Sequence, residues 1–363
     1  HKADLDRKEE HTSATDTEAL FVFTLVWATG GNLDMAGKEK LDSFLRTLLT
    51  TSAGDELPAE SLFDYYYDVN DSRWRPWLSQ TAFFANAMTE RHNFIIPTTG
   101  VVTAAFMSQL LHASQSPLLV LGESSTGRAA SIEEGVRASR SGPSARIPLT
   151  WSTHAEVVQT VVERKLERKQ RSKSDGCAGT FGPRNNGSVV VLIVEDLHMP
   201  EADLGGAQSP TEYLRQILDY RGCCHLEHRE WCTYENVRIT GTASMLDTLS
   251  PRLTRHFNVL VNSMPTDESL KMIYTAILSA HLPDSQLGFI GPMLNVTLAL
   301  YHDVEHKIRP GKAPNTQHYN FGLHRLNGLV RSMVSVQEFL SSASDIDFFR
   351  VWKHELDRSF RDS

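Results

Sequence analysis

The sequence predicts an α/β fold, a parallel sheet flanked by helices and followed by an all-helical lid, on three observations. "SPLLVLG" (Ser116 to Gly122) is a short apolar run bounded by turn residues, as a buried parallel strand is, and it feeds a loop framed by Gly122 and Gly127. "SVVVLIVEDLHMP" (Ser188 to Pro200) is a second apolar run, and it ends in two carboxylates, Glu195 and Asp196. From "TDESLKMIYTAILSAHL" onward nearly everything carries apolar residues at helical spacing. With 363 residues, 40% hydrophobic and 22% charged, the chain reads as a soluble globular protein of roughly two or three domains. Its net charge of −8 argues against a nucleic-acid surface. The longest apolar stretch, "ALFVFTLVWA" (Ala19 to Ala28), is too short to span a bilayer and lacks signal-peptide flanks. No membrane partner is expected, and an intracellular site is.

In chain order, residues 1–18 form a polar lead that reads as linker or disorder at the start of an excised piece. Residues 19–92 open with two helices. The first ends at a Gly-Gly stop, and the second, "KEKLDSFLRTLL", puts Leu41, Phe44, Leu45 and Leu48 on one face. "SLFDYYYDVNDSRWRPW" (Ser61 to Trp77) has aromatics at strand spacing about an Asn-Asp turn, a packing surface between domains. Residues 93–263 form the α/β domain. A helix ending near His112 precedes the strand and loop, and "AASIEEGVRAS" opens a helix at the loop's end. "ARIPLTWST" is a strand. "HAEVVQTVVERKLERKQRS" is a helix with Val157, Val158, Val161 and Leu166 on its apolar side, its "ERKLERKQR" run a solvated face. "KSDGCAGTFGPRNNG" is a flexible loop, "SPTEYLRQILDY" a helix and "ENVRITGTAS" a strand leading to a polar turn. Residues 264–363 are the helical lid.

The chemistry lies in the loop "GESSTGRAAS" and in the acids Glu195 and Asp196. A phosphate-binding loop reads GxxxxGK[ST], in which backbone amides cradle phosphates, lysine reaches the terminal phosphates and the hydroxyl binds Mg²⁺. Gly122, Glu123, Ser124, Ser125, Thr126 and Gly127 keep that frame, but Arg128 stands at the lysine position and Ala129 at the hydroxyl position. A buried strand ending in acids is how a second such element offers one carboxylate to Mg²⁺ and another to the attacking water. Cys177, Cys223, Cys224 and Cys232 make no disulfide framework, and "CCHLEHREWC", with His225 and His228, lacks the paired spacing of a zinc site. Reduced structural thiols and no metal are expected there.

Taken together, these blocks resemble an AAA+ module, specifically the third AAA+ module of a dynein heavy chain. "FVFTLVWATGGNLD" resembles the last helix of the preceding module's lid. "LFDYYYDVNDSRWRPW" and "FIIPTTGVV" resemble the entry to the module. "TFGPRNN", "VEDLHMPEADLGGAQSPTEYLRQILDY", "LSPRLTRHFNVL" and "IYTAILSAHL" resemble its large domain. "YNFGLHRLNGLVRSM" and "RVWKHELDRSF" resemble its small helical domain. The resemblance implies a fragment of an ATP-driven microtubule motor, in the cytoskeleton and by its divergence in the axoneme of a cilium or flagellum. The implied partners are neighbouring modules of the same heavy chain, and microtubules through parts of the motor not present here.

Departures from the family are concentrated in one site. Arg128 and Ala129 replace lysine and Ser/Thr, Glu195 then Asp196 replace an Asp-first pair, Ser244 falls at the sensor-one position and His324 at the lid's sensor arginine. Arginine's planar fork is aimed differently from a compact ammonium, and without a loop hydroxyl Mg²⁺ loses a ligand. Hydrolysis is therefore not expected. ADP or ATP held weakly by the backbone and an empty structural site both remain open, as do slow hydrolysis by a regulatory ATPase and a scaffold that docks through Tyr65 to Trp77. Arg252 and Arg255 are spaced like trans-acting arginine fingers, or else pair with carboxylates.

Overall fold

The computed structural model describes residues 14–49, 57–79, 95–139, 142–170, 177–185, 187–227, 229–244, 246–308, 322–342 and 344–360. Contacts divide the chain into two units. The α/β unit takes in the N-terminal elements with Thr99–Gly122 and Arg128–Ser263. The helical unit takes in Met264 onward with Phe84–Thr98 and Glu123–Gly127 of the loop.

The N-terminal elements are helices α1 (Ala14–Gly30) and α2 (Met35–Leu49) and an antiparallel hairpin of β1 (Tyr65–Asp68) and β2 (Arg73–Pro76). Helix α1 begins at Ala14, inside the lead read from sequence as linker, and residues 1–13 lie outside the described residues. On α2 only Leu45 is buried, whereas Phe44 and Leu48 are 58% and 52% exposed, so the four residues read as one apolar face do not all bury. Trp77 is fully buried, and its Nε1 donates to the Phe63 carbonyl at 2.8 Å. Around it stand Phe23 and Trp27 of α1, Tyr66 of β1 and Phe106 of α3 (Thr99–Ala113), with ring centroids 5.2–6.3 Å from its own. Each buried ring adds a large hydrophobic contribution and an edge-on preference that fixes its neighbours. The aromatic cluster thus ties the N-terminal helix to the first helix of the α/β layer. Tyr66 and Trp77 are buried in that packing, whereas Val69 is 49% exposed and Asn70, Asp71, Ser72 and Arg73 lie at the surface.

The central sheet has five parallel strands in the order β11-β3-β10-β7-β4. They are β3 (Leu118–Leu121), β4 (Ser144–Pro148), β7 (Val190–Glu195), β10 (Val237–Ala243) and β11 (Asn258–Val261). Every residue of β3 and all of β7 except Glu195 is buried, as a strand covered on both faces requires. The covering helices are α3, α4 (Arg128–Ser139), α5 (Ala155–Lys165) and α6 (Ser209–Tyr220). Helices α3 and α4 pack closely at Gly135, where a Cβ would lie 2.4 Å from the Ala105 carbonyl oxygen.

A second, four-stranded sheet departs from the sequence reading. The charged run leaves its helix at Lys165 and continues as β5 (Leu166–Gln170), antiparallel to β6 (Cys177–Pro183), which lies in the segment read as a loop. Leu166 is buried from the strand, not from the helix, and Val157 is exposed while Val158 and Val162 are buried. "CCHLEHREWC" forms most of the hairpin β8 (Gly222–Cys224) and β9 (Trp231–Tyr234), which puts buried Cys223 opposite buried Cys232. His228 lies outside the described residues. Among the described residues no group of three or more His, Cys, Asp or Glu is placed to hold a metal ion. No helix among them is long and apolar enough to cross a membrane.

The short helix α7 (Pro251–Thr254) precedes β11. The helical unit then holds α8 (Asp267–His281), α9 (Leu287–Ile308), α10 (Leu323–Ser335), α11 (Gln337–Ser342) and α12 (Asp345–Phe360) around a core of its own that includes Leu278, Leu298, Leu329, Met333 and Phe348.

Candidate nucleotide site

In a parallel sheet all carboxyl ends open on one edge, so β3, β7 and β10 end side by side, at Gly122, at Glu195 and Asp196, and at Ser244. Strand β10 lies between the other two, which places β3 and β7 roughly 10 Å apart. Gly122 leaves β3 with its amide donating to the Ala243 carbonyl at 3.2 Å. The loop then turns tightly: Ser125 and Gly127 hold φ of 67° and 85°, and Thr126 Oγ1 donates to the Glu123 carbonyl at 2.8 Å. Glu123, Ser124 and Ser125 are exposed. Helix α4 starts at Arg128, followed by Ala129, and its first amides have no intrahelical acceptor.

Arg128 does not point outward as a free cation. Its side chain is only 8% exposed, and its Nη2 lies 3.3 Å from Asp196 Oδ1, while Nη1 is buried with no hydrogen-bond partner among the described residues. Burial pulls the guanidinium below its usual pKa, and Asp196 and Glu195 work against that. Asp196 sits just past β7 in the left-handed region, φ 56°, which Asp tolerates better than most residues. Its amide donates to Thr242 Oγ1 at 3.1 Å, which turns the carboxylate toward α4.

Glu195, the last residue of β7, is hydrogen-bonded by Arg146 Nε, and Arg146 Nη1 also lies 3.8 Å from Glu133 of α4. The Glu195 contact raises the Arg146 pKa above its ordinary value, outweighing the opposing effect of burial. Both carboxylates expected at the metal and water positions are therefore already paired with guanidinium groups.

Ser244, at the end of β10, donates its amide to His198 Nδ1 at 3.3 Å. Burial, reinforced by Arg128 and opposed by Asp196, lowers the His198 pKa, which favours the neutral ring that can accept at Nδ1. Sequence reasoning missed Arg146, His198 and Thr242. Only the "EDLH" run signalled His198, and no local pattern marked Arg146.

The arginine-finger candidates have different surroundings. Arg255 Nη2 donates to Asp219 Oδ1 at 2.6 Å, and the same carboxylate receives Arg215 and His256. Arg252, exposed on α7, forms no ion pair among the described residues and lines a pocket of about 370 Å³ with Glu212, Asp247 and Ser250. His324 opens α10 in the helical unit, where burial and the adjacent Arg325 lower its pKa, and it is not among the residues that the α/β unit brings together.

Phosphate fits these residues better than Mg²⁺ does. Arg128 Nη1 is a buried donor without a partner among the described residues, and a helix start such as that of α4 favours negative charge. For Mg²⁺, Ala129 supplies no oxygen, and both nearby carboxylates are held by arginine.

Residues 83–265 match the family described as P-loop containing dynein motor region, and residues 1–79 match the dynein heavy chain AAA lid domain. Human dynein axonemal heavy chain 6 is 27% identical over 94% of this chain. The dynein-1-alpha heavy chain of the Chlamydomonas reinhardtii flagellar inner arm I1 complex is 25% identical over 95%, and the ciliary dynein beta chain of Heliocidaris crassispina is 28% identical over 95%. The chain spans about 8% of the length of these relatives. Among solved structures, a mutant of Thermotoga maritima RuvB overlaps 72% of this chain and 71% of its own, at 11% identity and a TM-score of 0.40. The chain belongs to the dynein heavy chain family, as a segment of its P-loop-containing motor region.

Proposed function

We propose that this segment is a degenerate third AAA+ module of an axonemal dynein heavy chain, preceded by the end of the second module's lid. It serves the motor ring as a structural and regulatory relay and does not hydrolyse ATP itself. The observation that carries this is the double pairing of Arg128 with Asp196 and Arg146 with Glu195. Phosphoryl transfer depends on positioning and charge stabilisation. Without the lysine, the loop hydroxyl and two available acids, the transition state loses several kcal/mol, or about a thousandfold or more in rate. The cytoskeletal, ciliary location follows from the names of the relatives. The neighbouring modules are its direct partners, and microtubules are reached through other parts of the heavy chain.

The test is phosphate release from Mg·ATP by this chain at single-turnover sensitivity. No release above background is expected. Turnover that disappears in both Glu195→Gln and Asp196→Asn would show an active regulatory ATPase instead.

Arg252 supports a second role for the same module, acting on a neighbour's nucleotide. It is exposed beside a pocket without an ion-pair partner among the described residues, while Arg255 is engaged by Asp219.

A further inference from the structure

The Arg128 guanidinium has an unequal environment. One of its terminal nitrogens meets Asp196, and the other is buried with nothing to donate to among the described residues, while Arg128 itself is the first residue of a twelve-residue helix. A buried donor left unpaired is costly, and a helix start is itself an anion-favouring terminus. Two independent features thus point to one missing partner, a negatively charged oxygen. The cation that normally escorts phosphate into such a loop is replaced here, because Asp196 and Glu195 already have guanidinium partners.

We propose that this module takes a diphosphate-bearing anion without a divalent cation, with Arg128 supplying the positive charge that Mg²⁺ supplies elsewhere. The inference rests on the loop being a degenerate nucleotide site. It adds that ligand binding there is metal-independent and is opposed, not aided, by the Asp196 carboxylate. In a Mg²⁺ site an acid at the end of the strand holds the metal and so helps the phosphates bind. In a guanidinium site the same acid competes with the phosphates for the arginine. Removing its charge therefore has opposite effects in the two cases.

The experiment is isothermal titration of this chain with ADP, pyrophosphate and orthophosphate, each in excess Mg²⁺ and in EDTA. Wild-type, Arg128→Ala and Asp196→Asn proteins are compared. Expected are equal ADP affinities with and without Mg²⁺, at least tenfold weaker binding in Arg128→Ala, and severalfold tighter binding in Asp196→Asn. Asp196 is 43% exposed, so its isosteric variant keeps the test intact should Arg128→Ala not fold. Pyrophosphate binding as tightly as ADP would assign the site to the diphosphate, tighter ADP would add the nucleoside, and both outcomes uphold the proposal. Tenfold loss of ADP affinity in EDTA, weaker binding by Asp196→Asn, or no heat with any of the three anions at millimolar concentration would overturn it. Turnover of ATP, which decides the relay function, is read in a separate assay, so failure of one idea is distinguishable from failure of the other.

Discussion

His112 makes the stability of the α/β unit depend on pH in a way that can be calculated. It lies at the end of α3, 2% exposed, with Nε2 3.2 Å from Thr240 Oγ1 of β10, and its backbone carbonyl accepts from Arg238. Burial, with a smaller push from Arg238, lowers its pKa from 6.5 to about 4. The folded protein therefore keeps this imidazole neutral at a pH where the unfolded chain protonates it. The stabilisation is fully present above about pH 6.5 and is lost as pH falls toward the folded value near 4. The whole difference is worth roughly 3 kcal/mol, of which about 2 kcal/mol is gone at about pH 5. Urea unfolding at about pH 8 and about pH 5, for wild type and His112→Gln, isolates this share, because every other titrating group is common to both proteins. The wild type should lose about 2 kcal/mol more than the variant. Equal losses would show that His112 titrates normally in the folded protein and that its burial carries no proton linkage.

Two further predictions concern packing and the arginines. Gly135→Ala forces α3 and α4 apart, since its Cβ meets the Ala105 carbonyl oxygen at 2.4 Å and Ser108 Cβ at 2.5 Å. It should cost about 1–3 kcal/mol and lower the melting temperature by several degrees, and an unchanged melting curve would contradict the close approach of the helices. Arg255→Ala should lower the melting temperature of this chain by releasing Asp219 from one of its partners, whereas Arg252→Ala should leave it unchanged. In a full-length motor Arg252→Ala should slow ATP turnover, and a turnover rate equal to wild type would remove its role on the neighbouring module.

Elements that depend on a run of like residues were legible in advance. Strands β3 and β7 announce themselves as unbroken apolar runs, and the loop is framed by glycines whose spacing backbone geometry demands, as at Gly127 with φ 85°. Helices α6 and α8 follow from apolar periodicity with turn signals at their ends. The β5–β6 pair did not show itself, because "ERKLERKQR" has the charge spacing of a helix and glycine-containing "CAGTFGP" that of a loop. Strand conformation there comes from the neighbouring strand in the ladder, a non-local partner that single-chain pattern does not carry.

The sequence alone determined which chemical groups the site lacks. A lysine and a hydroxyl absent at Arg128 and Ala129 cannot be restored by folding, since side-chain chemistry is local to the residue. What only the tertiary structure decided is what the remaining groups do instead. Arg146 lies on an edge strand 49 residues from Glu195, and Arg128 is 68 residues from Asp196. Charges that far apart in sequence meet here because parallel strands bring their carboxyl ends to one edge, which pairs Arg146 with Glu195 and Arg128 with Asp196.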